Sequence, residues 1–434
     1  MMITNIAAVW LLLLSFLILV ILRVPIAFAL ALSSIVTTLY LGLPLGVVAQ
    51  NIVSGMNNFG LLAIPFFILA GEIMSTGGIS NRLVELANVL VGRFRGGLAM
   101  VNVLACMFFG GITGSSVADT TSIGTIMLPM MKKKGYEDDF STAVTMAGSV
   151  QGVLVPPSHN MILFSLAAGG LSVGRLFLAG ILPGVTLMIA LMVFSYLLAV
   201  IRKYPKGEKF TLLQGLKVFK DSILGLLTVI IIVVGIISGI FTATESGAIA
   251  CIYAFIVTFF IYREIPLKEM IPILKRSLKV LSIIMILIGS SMAFGWLMAF
   301  LQLPAVVANG ILGISHNKYI VLLIINVILL FLGMIMDMSP IILITTPILL
   351  PLVMKVGVDP IHFGVIMMLN LGIGLLTPPV GGTLFVGSAL SGVSIEKLTK
   401  ALLPFYAIMV VVLMIITYLP DLAMLLPNLV MPIK

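Results

Sequence analysis

The chain alternates long apolar runs with short polar breaks. Runs fall at 3–22, 26–48, 59–80, 140–169, 176–201, 223–240, 245–262, 280–301, 361–391 and 400–419. A helix needs about 20 apolar residues to cross the hydrocarbon layer of a bilayer, so each run predicts a membrane span. Two further stretches, about 97–131 and 319–354, are too long for one span and carry polar or small residues in their middles. They predict re-entrant hairpins that enter and leave on one side. Non-helical backbone is tolerated at that depth only inside protein or beside a wet cavity. Residues 80–95 place apolar positions at helical spacing with charges between, the pattern of an interfacial helix, and 302–315 hold the matching place later in the chain. In 202–222, leucine, valine and phenylalanine are interleaved with lysines, which fits an amphipathic surface helix or a basic loop equally well.

The breaks repeat. Gly111, Leu128, Pro129, Lys133, Gly135, Gly152, Leu154, Pro156, Pro157, Gly170 and Ser172 recur without a gap, 222 positions on, as Gly333, Leu350, Pro351, Lys355, Gly357, Gly374, Leu376, Pro378, Pro379, Gly392 and Ser394. Paired hydrophobic segments interrupted by Gly and Pro are a sequence pointer to a transporter binding site. The expected division is two opening spans at 1–58, a first repeat at 59–200 and a basic segment with linking spans at 201–279. A second repeat follows at 280–419, then a C-terminal tail at 420–434. Each repeat carries one hairpin and one broken span, at 140–169 and at 361–391.

Composition agrees with a membrane solvent. The chain is 61% hydrophobic and 9% charged, against roughly 25% charged in soluble domains. A net charge of +9 raises the possibility of nucleic acid, and the charge distribution removes it. With the N-terminus outside, only Arg175, Lys318, Lys355 and Lys434 of the 24 basic residues face out. The rest collect in cytoplasmic loops, as orientation by positive charge requires. The first hairpin then closes inside on Lys132, Lys133 and Lys134. Five crossings later the second opens from the other face, so the repeats are inverted. Cys106 and Cys251 lie far apart in apolar sequence and have no disulfide or metal spacing. The first apolar run has no preceding basic residue and no small-residue cleavage site, and reads as a retained span.

The breaks also carry the candidate chemistry. The first hairpin turns through Gly110, Gly111, Thr113, Gly114, Ser115, Ser116, Asp119, Thr120 and Thr121. Glycines let the backbone leave helical geometry and expose carbonyls, and hydroxyls add neutral oxygens of the kind that hard cations take. The following span breaks at Gly152, Val155, Pro156, Pro157, Ser158 and His159. Pro157 lacks an N–H and pushes Pro156 away from helix. The second repeat offers Met336, Asp337 and Met338 at its hairpin turn, and Gly374, Thr377, Pro378, Pro379, Gly382 and Thr383 at its break. A carboxylate at membrane depth is expensive and defaults to function. Asp337 therefore reads as a cation-site or hairpin-orienting group ahead of a helix cap, while Asp119 fits a local hydrogen-bonding or capping role equally well. Glu72 is expected near an inner span end, reaching the interface. Ser116, Asp119, Ser158, His159 and Thr383 are candidates for substrate contact. An intramembrane serine protease using Ser115 or Ser116 with His159 lacks a Gly-x-Ser-x-Gly elbow. No phosphate-binding loop exists, so the energy source is expected to be an ion gradient, without a cofactor.

The stretch Ile64-Pro65-Phe66-Phe67-Ile68-Leu69-Ala70-Gly71 resembles the large membrane subunit of the tripartite ATP-independent periplasmic (TRAP) transporters. So do Arg23-Val24-Pro25-Ile26-Ala27, Gly114-Ser115-Ser116-Val117-Ala118-Asp119, Pro156-Pro157-Ser158, Gly333 to Asp337, and Gly374-Leu375-Leu376-Thr377-Pro378-Pro379-Val380-Gly381. The similarity runs in order over essentially the whole chain. It implies an all-α polytopic protein of the bacterial inner membrane, with inverted hairpin repeats of the ion-transporter-superfamily, elevator type. It implies sodium-coupled import of an organic anion, with a periplasmic substrate-binding protein and a small four-helix membrane subunit as partners. The resemblance further implies two sodium sites. One lies at Thr113, Gly114, Ser115 and Ser116 with Gly152, Val155 and Pro156. The other lies at Met336, Asp337 and Met338 with Gly374, Thr377 and Gly382. His159 departs from the aliphatic residue expected after Pro-Pro-Ser. A stand-alone carboxylate transporter of the same architecture is the alternative, and an intramembrane protease a more distant one.

Overall fold

A computed structural model describes residues 6–207 and 210–432. Residues 3–5 of the first expected span, Lys209 of the basic segment and Lys434 lie outside the described residues. The described chain is helical throughout, and eight of its helices are long and apolar enough to cross a membrane. The opening helices are α1 (Ile6–Ile21), α2 (Ile26–Tyr40) and α3 (Gly46–Met56). The single span expected at 26–48 is thus two helices. Gly42 adopts φ +66° between them, and Pro44 follows two residues on.

The first repeat runs from α4 (Ala63–Thr76) and α5 (Ile79–Val91) into the hairpin arms α6 (Gly97–Thr113) and α7 (Ser116–Lys133). The broken span follows as α8 (Asp138–Ser149), α9 (Gln151–Leu154) and α10 (His159–Ala167), and α11 (Val173–Ile201) closes the unit. Two helices link the halves: α12 (Leu212–Ile237) and α13 (Ala243–Ile256). The apolar positions of the basic segment are the first turns of α12, begun by a Thr211–Gln214 capping box, and not a separate surface helix. Glu245 is the equivalent capping-box residue of α13.

The second repeat is α14 (Met270–Phe300), α15 (Leu303–Ile314), hairpin arms α16 (Lys318–Ile335) and α17 (Met338–Lys355), broken span α18 (Pro360–Gly374) and α19 (Gly382–Ser391), then α20 (Ile395–Tyr418). The segment expected as a tail carries a further helix, α21 (Pro420–Val430). It packs on α11, where Arg175 donates through Nη2 to Asn428 Oδ1 at 2.9 Å and through Nη1 to Met431 O. The same hydroxyl starts equivalent helices: Ser172 accepts from Arg175 N in α11, and Ser394 from Lys397 N in α20.

The inversion is visible on α20. Its 24 residues span about 36 Å at 1.5 Å per residue. At one end Lys397 pairs with Asp139 at 3.6 Å, beside the open end of the first hairpin. At the other end Tyr418 donates to Tyr319 O at 3.3 Å, beside the open end of the second. The hairpins therefore enter from opposite faces. The face bearing Lys132 and Lys133 is stitched by Lys132–Asp138 at 2.8 Å and by an Arg202–Glu137 pair. There Tyr136 stacks on Tyr204 with ring centroids 4.3 Å apart, and burial pushes the Tyr136 phenol up to about 12.

The repeats interlock around the hairpins. α8 packs on α20, α7 on α19, and α10 on α17. Phe164 of the first meets Phe363 of the second edge-on at 6.2 Å. Around this body α14 packs on α2, α3 and α4, with small residues at the crossings. Lipid supplies no hydrophobic drive between helices, so close packing through small residues takes its place. Gly289 of α14 faces Ile52 of α3 in this way.

Candidate functional site

Each hairpin crosses its broken span glycine on glycine. A Cβ on Gly374 would lie 2.6 Å from Gly333 Cα, and one on Gly152 would lie 3.2 Å from Gly110 Cα. Only glycine permits main chains this close. The contact brings the C-terminal end of a hairpin arm beside the C-terminal end of a half-span, α6 beside α9 and α16 beside α18. Carbonyl ends carry partial negative charge, and paired ends make a place for a cation.

At the first tip Gly114 adopts φ +63° and ends α6. A Cβ there would lie 2.8 Å from Pro157 O and 2.9 Å from Ser158 Cα, so the tip rests on the Pro-Pro break. The Pro156–Pro157 and Pro378–Pro379 bonds are both cis. At the second tip Val380 N donates to Met334 O at 3.0 Å, joining break to hairpin. The carbonyls of Leu375 and Thr377 converge on Gly381, and Leu375 O accepts from Thr383 N at 3.1 Å. Thr377 donates its hydroxyl to Ile373 O at 2.9 Å and stands beside the Tyr406 hydroxyl. Thr113, Gly114, Ser115 and Ser116 thus stand against the break holding Gly152, Val155 and Pro156. Met336 and Asp337 stand at the tip whose arm crosses Gly374, in the same unit as Thr377 and Gly382.

The tips also reach across the repeats. Ser116 Oγ lies 3.2 Å from Thr383 Oγ1, just after the second break. Ser339 donates to Asn160 Oδ1 at 3.2 Å, just after the first. Between the tips lies a cavity of about 650 Å³, within the range of small-molecule sites. Thr113, Ser115, Ser116, His159 and Asn160 line it from the first repeat, and Asp337, Met338, Ser339 and Leu375 from the second.

The two acids separate. Asp337 occupies the N-cap position of α17 without a capping hydrogen bond, and its side chain is exposed because it faces the cavity. Asp119 is fully buried beside the Gly110–Gly152 crossing. Its Oδ1 accepts from Thr113 Oγ1, and among the described residues its Oδ2 has no partner. Of the five candidate substrate contacts, Ser116 and His159 line the cavity, while Asp119, Ser158 and Thr383 are buried beside it. Turning Asp119 inward lets it brace the tip through Thr113, a contact that six residues of separation permit across a tight turn.

No Ser–His pair forms among the described residues. Ser116 Oγ lies 2.7 Å from Ser149 Oγ, Ser115 Oγ accepts from Ala118 N at 3.4 Å, and His159 Nδ1 is buried without a partner. Sequence reasoning missed two cavity residues. Glu72, in the last turns of α4, lines the cavity and accepts from Arg276 Nε at 3.0 Å. Arg276 precedes the apolar run that marks its span, so hydropathy assigns it to a loop, whereas its helix already begins at Met270.

Inverted hairpins facing broken helices across one central cavity define a secondary transporter. The description Tripartite ATP-independent periplasmic transporter, DctM component, matches residues 13–422. The chain belongs to that family and is a multi-pass protein of the bacterial inner membrane. It is 48% identical over 96% of its length to the uncharacterized protein YgiK of Salmonella typhimurium, covering 97% of that protein. It is 41% identical to the C4-dicarboxylate TRAP transporter large permease protein DctM of Pseudomonas aeruginosa, over 86% of this chain and 87% of that one. It is 39% identical to the sialic acid TRAP transporter large permease protein SiaM of Vibrio cholerae, over 88% and 89%. The crystal structure of the Alcanivorax borkumensis YdaH transporter, described as having an unusual topology, superposes with a TM-score of 0.61 at 13% identity, covering 86% of each chain. That likeness concerns the fold alone.

Proposed function

We propose that this chain is the translocating subunit of a sodium-coupled importer of an organic acid. The observation that carries the reading is the single cavity into which both hairpin tips open, with helix ends of both signs beside it. Carbonyl ends of α6 with α9 and of α16 with α18 favour sodium. The N–H ends of α7, α10, α17 and α19 favour a carboxylate. Large permease relatives whose names give C4-dicarboxylate and sialic acid support an acidic substrate. A periplasmic binding protein delivers the anion, and a small four-helix membrane subunit braces this chain.

The cavity leads from the tips past Ser75, Thr76 and Ser122 toward the lysine-rich face. It is open to the inside, and transport moves the hairpin body against the helices around α14 as an elevator. The Ser75–Ser122 bond of 2.9 Å joins α4 to the first hairpin and has to break in that motion. The test is uptake of labelled succinate, gluconate, pyruvate or N-acetylneuraminate into proteoliposomes holding both membrane subunits. Uptake of one of these requires an inward sodium gradient and binding protein. Uptake at full rate with potassium in place of sodium ends the sodium reading. Full rate without binding protein favours a stand-alone transporter.

A further inference from the structure

Beyond the acid at the second tip, the cavity carries charge on α4 and α14, at Glu72 and Arg276. Arg276 of α14 is its lysine- or arginine-type lining residue among those described, and it stands on the path toward the basic face. Its side chain is 48% exposed. Nε donates to Glu72 Oε2 at 3.0 Å and Nη2 to Thr76 Oγ1 at 2.9 Å. Thr76 itself donates to Glu72 O at 2.9 Å, which fixes the acceptor. One edge of the guanidinium is therefore held by α4. Arginine has five N–H donors in a planar fork, and the Nη1 end makes no hydrogen bond among the described residues.

We propose that Arg276 is the anion-reading residue of this cavity: its free Nη1 end takes a substrate carboxylate that has left the hairpin tips, while Glu72 and Thr76 orient it. The proposal rests on the organic-acid reading above. A planar fork suits a carboxylate better than an ammonium does, because two N–H bonds can form in parallel. The Glu72 pair is half-exposed to a wet cavity, where such pairs hold weakly. Glu72 can therefore yield part of the guanidinium to an incoming anion. In the empty cavity it masks the positive charge, so Arg276 does not repel sodium on its way to Asp337. Glu72 is then both a brace and a competitor.

That double role gives opposite signs for the two neutral variants. Thermal stabilisation of the purified chain in sodium is titrated separately with succinate, gluconate, pyruvate and N-acetylneuraminate. At least one anion stabilises the wild type. Arg276→Gln raises the half-saturating concentration of that anion by about tenfold or more, the loss expected for a hydrogen bond to a charged group. Arg276→Lys restores part of it, and Glu72→Gln lowers the concentration below wild type. A latch between α4 and α14 loses its bond whichever partner is removed, so both Gln variants then move the same way. Shifts in one direction, or wild-type affinity in Arg276→Gln, overturn the proposal. Sodium alone stabilises a folded Arg276→Gln protein, which separates lost affinity from lost fold. If none of the four anions stabilises the wild type, the organic-acid reading fails and Arg276 falls with it.

Discussion

Replacing Gly374 by alanine tests the crossing on which the proposed second cation site is built. The new Cβ would meet Gly333 Cα at 2.6 Å, Gly333 C at 2.7 Å and Gly333 O at 3.1 Å. All three are main-chain atoms, so no rotamer change gives relief. Carbon atoms settle at about 3.5–4.0 Å, and α16 must part from α18 by roughly 1 Å. Overpacking of this kind costs about 1–3 kcal/mol, so the melting temperature of the purified protein falls. The parting also moves the carbonyls at the break, and a binding constellation tolerates only about 0.5 Å. The sodium concentration for half-maximal uptake is expected to rise about tenfold, on the basis of one weakened polar contact. Gly310→Ala is the paired control. It lies inside α15 with nothing within 4 Å of its Cβ position, so it is neutral or stabilises by about 0.4–1 kcal/mol. A Gly374→Ala protein with wild-type melting temperature and sodium response would refute the reasoning, as would an equal loss in Gly310→Ala.

Asp337→Asn and Thr377→Val each weaken the sodium response by roughly five- to a hundredfold while the protein remains inserted, taking the loss of one polar partner as about 1–3 kcal/mol; the check is sodium-dependent uptake of purified variants, and unchanged dependence in both moves the second cation site away from this hairpin. Single cysteines placed at Lys133 and Lys355, both exposed, react with impermeant reagent from opposite faces of sealed vesicles, and labelling of both from one face contradicts the inverted hairpins.

The architecture was legible wherever local chemistry forces a break. Gly114, Pro157, Gly374 and Pro379 cannot continue a helix at low cost, so each half announced its own interruption. The 222-residue repeat then linked the two halves before any contact was known. Two kinds of feature stayed hidden. Helix ends in polar sequence were one: α12 and α14 begin at Leu212 and Met270, well before their apolar runs, because capping and packing extend a helix past the hydrocarbon. The other was depth. Hydropathy gives no lateral position, so Glu72 and Arg276, 204 residues apart, could not be seen to meet inside the cavity.

The two acids show why an inverted repeat still needs asymmetry. Advancing Ser115 by 222 positions gives Asp337, and advancing Asp119 gives Ile341. The tips therefore share a backbone and exchange the place of their carboxylate. In the first, a neutral hydroxyl caps α7 while the acid turns inward and braces Thr113 at the glycine crossing. In the second, the acid stands at the cap and faces the cavity, and an apolar side chain fills the inward position. A cavity with an acid at both tips would hold two like charges near one anionic substrate, with repulsion strengthened by the low dielectric. Burying one acid behind its tip and exposing the other leaves one carboxylate facing the cavity, where the proposed cation would meet it, and leaves the first tip to the uncharged Ser115 and Ser116. The sequence repeat builds two equivalent cradles, and this exchange of two positions makes them chemically different.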